Sequence, residues 1–342
     1  MKNYIKNILL LLITFNVVSQ PQKVEIESLL SSKISIRAIV LDKNKLYFAG
    51  SENQFGSVDL KTKKCVLHKI VHDTLKLEFR SIAQTENFIF VLSVANPALL
   101  YKIDKKTLIP RLVYDERNTK VFYDSMQFFG DKFGMAMGDP IENGFCVITT
   151  RDGGDTWTKT PDANLPALAK GEAAFAASNS SLVLKKSKIW MASGGKQARV
   201  FCSENLGKTW SVSETPIMQG MSMTGIFTMD FYDQNIGFIA GGDFEKPLQN
   251  SGNKALTIDG GKTWNLVSEN AGFGYASCIK FIAKSGGKNL VSVGSMGVYR
   301  STDSGQSWMQ ISIEKDLFTI QILNEKSFIT AGRNKILKFS FK

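Results

Sequence analysis

Thr257-Ile258-Asp259-Gly260-Gly261-Lys262-Thr263-Trp264 is one of four copies of a short pattern in this chain. The others are Thr150-Arg151-Asp152-Gly153-Gly154-Asp155-Thr156-Trp157, Ser203-Glu204-Asn205-Leu206-Gly207-Lys208-Thr209-Trp210 and Ser301-Thr302-Asp303-Ser304-Gly305-Gln306-Ser307-Trp308. They share the form [ST]-x-[DN]-x-G-x-[ST]-W. Asp or Asn folds its side chain back on backbone N–H groups of a tight turn. Gly supplies the positive φ that such a turn needs. The hydroxyls bond locally. Trp leaves the turn as the first large anchor of the following strand, with an indole N–H to satisfy.

The copies stand roughly 50 residues apart, the spacing of a repeat architecture. The pattern resembles the Asp-box, or BNR, hairpin. Asp152, Asn205, Asp259 and Asp303 are therefore read as turn staples, and Trp157, Trp210, Trp264 and Trp308 as structural anchors. None of them is read as catalytic.

Around the repeats the chain shows short strands and almost no helical periodicity. They group into units of four, as in a propeller. The units run from about 35 to 69, 79 to 114, 121 to 160, 172 to 213, 224 to 268 and 275 to 312. The turns of the first two carry Asp59-Leu60-Lys61-Thr62 and Tyr101-Lys102-Ile103-Asp104 in place of the repeated pattern. Three further strands, at 317–323, 327–331 and 335–341, lack a fourth. Residues 24–29 form a lone strand that supplies it. The expected fold is all-β: a seven-bladed β-propeller of four-stranded blades, its ring closed by the N-terminal strand joining the C-terminal blade.

The chain has 342 residues, 43% of them hydrophobic. A ring of repeats accommodates that length, because each unit packs only on its neighbours. Residues 1–19 read as a secretory signal. Lys2 and Lys6 form a basic end, residues 8–13 an apolar run, and Val17-Val18-Ser19 a small-residue exit. Residues 20–342 then form one exported, monomeric domain in the periplasm or outside the cell. Cys65, Cys146, Cys202 and Cys278 are scattered, so no metal site is expected from their spacing, and no cofactor either. Buried free thiols are the plain reading, and a disulfide is open in an oxidising compartment.

The net charge is +11, of which Lys2 and Lys6 contribute two. Lysines cluster at 61–64, 102–106 and 185–188, all in expected turns. Solvated turns account for them, with peripheral contact to an anionic membrane or an acidic partner as the alternative. A leader sequence and the lack of aromatics beside the lysines argue against nucleic acid.

Strand order sorts the polar residues. Starts of inner strands and ends of second strands meet at one mouth of the channel, while the repeated turns lie on the opposite face. Arg80, Asp124, Asp139, Glu172, Arg199, Asp243 and Tyr275 fall at that mouth. They are the candidate binding residues for an unidentified protein partner or a small anionic ligand. The competing reading is that they satisfy one another.

The same segments carry a family resemblance. Phe79-Arg80-Ser81-Ile82, Phe122-Tyr123-Asp124-Ser125, Met137-Gly138-Asp139-Pro140 and Gly171–Ser178 are among them, as are Gly194–Arg199, Gly225–Thr228 and Gly241–Phe244. Together they are similar to exported BNR-repeat propellers related to the photosystem II stability and assembly factor. The resemblance implies a binding or assembly scaffold without catalysis. An arginine-rich patch like that of the photosynthetic members is not evident, so photosystem binding is not carried over. Bacterial members often bear the label oxidoreductase, yet no dinucleotide fingerprint or haem ligand set is present.

The rival class is a sialidase-like glycoside hydrolase, on the likeness of Phe79-Arg80-Ser81-Ile82 to the arginine motif of that group. Arg80, Arg199 and Arg333 would hold a carboxylate. Tyr275, Glu172 and Asp124 or Asp139 would serve as nucleophile, partner and acid. Arg80 lacks the proline of that motif.

Overall fold

Apolar runs such as Phe88–Ser93 (FIFVLS) and Ala98–Asp104 (ALLYKID) are buried along nearly their whole length. Strands covered on both faces need such continuous runs, and strands with one wet face alternate. The outermost strand of the same unit, Pro110–Glu116, is accordingly half exposed. The computed structural model describes residues 23–342 and is all-β, with one short 3-10 turn at Asp162–Asn164. The proposed leader at 1–19 lies outside the described residues. Among those residues no helix is long and apolar enough to cross a membrane.

Each unit is an antiparallel meander. Phe79–Gln84, Phe88–Ser93, Ala98–Asp104 and Pro110–Glu116 pair in chain order, as do Ala276–Phe281, Leu290–Gly294, Gly297–Ser301 and Met309–Ser312. Hydrophobic clusters lie between adjacent units. Tyr47, Ala49 and Phe55 of one pack with Phe79, Ile82, Leu99 and Tyr101 of the next. Stability is therefore shared across every unit boundary.

The expectation of seven blades is corrected: the described strands make six hydrogen-bonded sheets, four of four strands and two of six. The reason is a 19-residue strand, Val24–Asp42. Residues Val24–Ser31 pair with Lys335–Phe341, and Ile36–Asp42 pair with Lys45–Gly50. The chain ends and the first unit thus share one sheet. The last strands also run together, because Ser327–Phe341 is continuous over 15 residues rather than two separate strands.

A second departure lies in the 172–213 unit. Its first strand is split into Glu172–Ala173 and Leu182–Lys185. Glu172–Ala173 pairs with Gly194–Gly195, and Gly194 pairs onward with Gly225 of the next unit. Gly225, at φ +134°, would place a Cβ 2.3 Å from Gly194 Cα. Only paired glycines allow the two backbones to touch there.

In the four repeated turns the carboxylate or amide accepts from the backbone. Asp259 takes the N–H groups of Lys262 and Thr263 at 3.0 Å, and the Thr263 hydroxyl at 2.6 Å. Partial burial opposes its ionisation, yet these bonds and those from Thr257 outweigh burial and lower its pKa to about 2. Asp59 and Asp104 cap their turns similarly through Lys61 and Thr62, and Lys106 and Thr107. Trp264 is buried, donates to Gly261 O at 3.1 Å and meets Phe231 edge-on. Trp264→Ala is expected to cost about 3–5 kcal/mol by denaturant melting, as for other buried tryptophans, without weakening binding at the far face.

Candidate functional site: the mouth of the ring

Register fixes which residues share an end of the ring. At one end Phe79 faces Ser93, Tyr123 faces Gly138, Thr224 faces Asp243, and Ala276 faces Gly294. At the other end Gly134 faces Thr150 and Gly237 faces Thr257, the first residues of two repeated turns. The mouth and these turns lie at opposite ends.

The split strand explains the inside of the channel. Residues 174–181, Ala-Phe-Ala-Ala-Ser-Asn-Ser-Ser, leave the ladder and cross the ring. Arg37 donates to Ala177 O at 3.1 Å, Thr319 to Ser178 O at 3.3 Å, and Asn179 to Ile82 O at 2.8 Å. Met126 N–H donates to Asn179 Oδ1 at 2.8 Å, and Ser180 Oγ to Thr228 Oγ1 at 2.8 Å. These partners come from five other units. Small side chains let the crossing segment fit, and its backbone groups are met by neighbours as buried polar groups require. The mouth is consequently a cup with a floor.

Arg37, Arg80, Phe122, Asp139, the floor at Ala173–Ala177, Met223, Phe227, Phe244 and Tyr275 line that cup, a cavity of about 350 Å³. One wall is aromatic. Phe175 stacks on Phe227 with centroids 3.9 Å apart, and Tyr275 meets Phe227 and Phe244 edge-on at 4.8 and 5.2 Å. The other wall is cationic. Arg37 lies over Phe318 at 4.1 Å, and its buried Nε has no partner among the described residues. Burial first, then the charges of Arg80 and Arg333, lower the Arg37 pKa, with Tyr275 and Glu78 opposing. Arg80 donates through Nε to Glu78 at 2.9 Å and faces Phe122.

Of the residues nominated from sequence, Arg80, Asp139 and Tyr275 line the cup. Asp124 is fully buried, and neither of its oxygens has a partner among the described residues. Burial, then nearby Asp139, raises its pKa well above the carboxylate range, against a lowering pull from Arg80. Asp139 accepts from Ala174 N–H at 2.9 Å, which ties it to the floor. Glu172 and Arg199 are spent on each other, the Arg199 fork meeting both carboxylate oxygens. Asp243 is used by its own turn, accepting from the N–H groups of Glu245 and Lys246. Arg333 is largely exposed, with Asp316 3.9 Å away. Tyr275 is buried, and its hydroxyl accepts from Ser277 at 3.4 Å; burial raises its pKa.

Sequence reasoning missed Arg37 and the phenylalanines. Arg37 sits between buried Ile36 and Ala38, an inner-strand position that would otherwise be apolar. That interruption was the available signal. The four cysteines are free, three of them buried.

Asp139 also sets a pH dependence. Burial, partly offset by the Ala174 N–H, raises its pKa to about 6, against about 3.9 for a free carboxyl. Between those values the folded chain binds more protons than the unfolded one, so this contribution to stability is lost as pH rises through the window. Asp139→Asn should remove that slope. Melting of both proteins from about pH 4 to about pH 6.5 checks it, and parallel curves would contradict it.

No family model matches the chain, and no curated protein matches it. Solved structures do. "YCF48 bound to D1 peptide" aligns with TM-score 0.65 at 13% identity, covering 95% of this chain and 98% of that one. YCF48 from Cyanidioschyzon merolae aligns with TM-score 0.65 at 13% identity, over 92% of this chain and 98% of that one. A structure titled "Structure of U3-55K" reaches TM-score 0.65 at 10% identity, over 92% and 98%. At these identities the likeness is one of fold, and the fold is a β-propeller with four-stranded blades.

Proposed function

We propose that this chain is an exported propeller scaffold, with a leader at 1–19, a single domain at 20–342 and no catalytic role, which binds a protein partner at the cup. The observation that carries this reading is the cup itself. It combines two arginines, a half-exposed phenylalanine and the crossing segment as a floor at one end of the ring. Binding surfaces favour aromatic and arginine anchors in desolvated pockets. A structural neighbour titled as bound to a peptide adds support.

The hydrolase reading has less to stand on. Arg199 is committed to Glu172, and the Tyr275 hydroxyl meets Ser277 rather than a glutamate. Sialoside hydrolysis that Tyr275→Phe abolishes would reverse this preference.

The test is a photo-crosslinking residue at Phe244, in cells, with and without Arg80→Ala. Phe244 is 50% exposed at the rim. A discrete protein adduct that Arg80→Ala diminishes, at unchanged melting temperature, is expected. An adduct indifferent to Arg80 would remove the cup from the account.

A further inference from the structure

The cup's two walls differ in chemistry, and that difference selects a ligand. Arg37 spends one N–H on Ala177 O, and its buried Nε has no partner among the described residues. Arg80 is turned to Glu78, a rim carboxylate 38% exposed. Glu78 holds that guanidinium through one N–H, a contact that an incoming carboxylate could replace. Guanidinium forks match planar carboxylates two bonds at a time. Opposite them stand Phe227 and Phe244, the latter half exposed.

We infer that the cup takes a carboxylate carried on a flat or apolar body. The acid group is held by Arg37 and Arg80, and the body lies against Phe227 and Phe244. This rests on the cup being the working surface and names the chemistry that fills it. Size fits: about 350 Å³ is near the lower end of ligand pockets, room for one ring and a short acid arm. Charge fits as well. The arginines at the mouth favour an anion, while Asp139 in the lining disfavours a dianion relative to a monoanion. The floor at 174–177 stops anything longer from threading the ring.

Two sources share this chemistry: a free aromatic acid, and the C-terminal residue of a polypeptide. Calorimetric titration of the full chain separates them, with 3-phenylpropionate, its amide, phenyl phosphate, and a short peptide ending in Phe with a free or an amidated terminus. The acid should bind and the amide should be at least about tenfold weaker, a difference of about 1.4 kcal/mol. Arg80→Ala should weaken the acid by a similar factor. Phe244→Ser, at a half-exposed side chain, should weaken acid and amide alike at an unchanged melting temperature. Tighter binding of the free-ended peptide than of 3-phenylpropionate assigns the site to a chain end; binding of 3-phenylpropionate alone assigns it to a small acid. Equal affinity for acid and amide, tighter binding of phenyl phosphate, or no binding by any acid at millimolar concentration would overturn the inference. Failure here with a persistent Arg80-dependent adduct at position 244 would leave the partner-binding reading standing. Acid binding without such an adduct would sink only the protein partner.

Discussion

Glu172→Ala is expected to destabilise the chain by about 3–5 kcal/mol, the range for breaking one side of a buried ion pair. The Glu172 side chain has no exposed surface, and that of Arg199 is 14% exposed. Glu172 Oε1 accepts from Arg199 Nε at 3.0 Å and from the Ser193 hydroxyl. Oε2 accepts from Ala169 N–H at 2.8 Å and from the other arm of the Arg199 fork. Removing the carboxylate strands Arg199 Nε and the Ala169 N–H, while the Ser193 hydroxyl keeps Arg199 O and the other arm of the fork keeps Ala167 O; leaving buried polar groups unpaired costs more than the bonds were worth. The pair also pins the point where the first strand leaves the ladder to become the floor. Glu172→Gln keeps the volume and one acceptor and should lose less. Denaturant midpoints of the two variants decide the matter. A loss under about 1 kcal/mol for Glu172→Ala would mean the pair is solvated in practice, since exposed pairs contribute that little.

Removing residues 20–30 should have the larger effect, because it opens the ring. Val24–Ser31 covers Lys335–Phe341 in register from Val24 opposite Phe341 to Ser31 opposite Lys335. Leu29 and Leu30 join the core with Ile34, Ile36 and Ile336. Without them the strand bearing Leu337, Phe339 and Phe341 becomes an unpaired apolar edge, which invites pairing with other chains. Loss of cooperative melting, or a much lower melting temperature with soluble oligomers by light scattering, is expected. A monomeric truncation that melts like the full chain would show that the pairing of the ends contributes little.

The repeated turns were the most legible part of the sequence. Their chemistry is local: an acceptor, a positive-φ glycine and an anchor lie within eight positions, so no distant contact is needed to read them. The four-strand grouping followed from the same periodicity. The sheet count did not, because nothing in residues 30–35 marks that a strand continues from one partner to another. At the mouth, topology correctly collected Arg80, Asp139 and Tyr275 at one end, since strand direction alone fixes that. It could not say that Glu172 and Arg199 face each other, nor that Asp243 serves its own turn. Side-chain partners depend on rotamers and loop paths that spacing does not encode. The run Ala173-Ala174-Phe175-Ala176-Ala177-Ser178 follows Glu172, where strand order places the start of an inner strand. Its lack of β-branched residues was the sign that it is not one. Arg37 escaped notice because a single charge in an apolar strand has no periodic signature.

The claim on which the functional account turns is that the working surface is the mouth and not the face of repeated turns. Paired photo-crosslinking residues at Phe244 and Ile258 test it most directly. Phe244 lies at the rim of the cup, and Ile258, 71% exposed, lies in the third repeated turn at the opposite end of the ring. The account predicts a discrete adduct from position 244 and none from position 258. An adduct from position 258 alone would contradict it and move the binding surface to the other face.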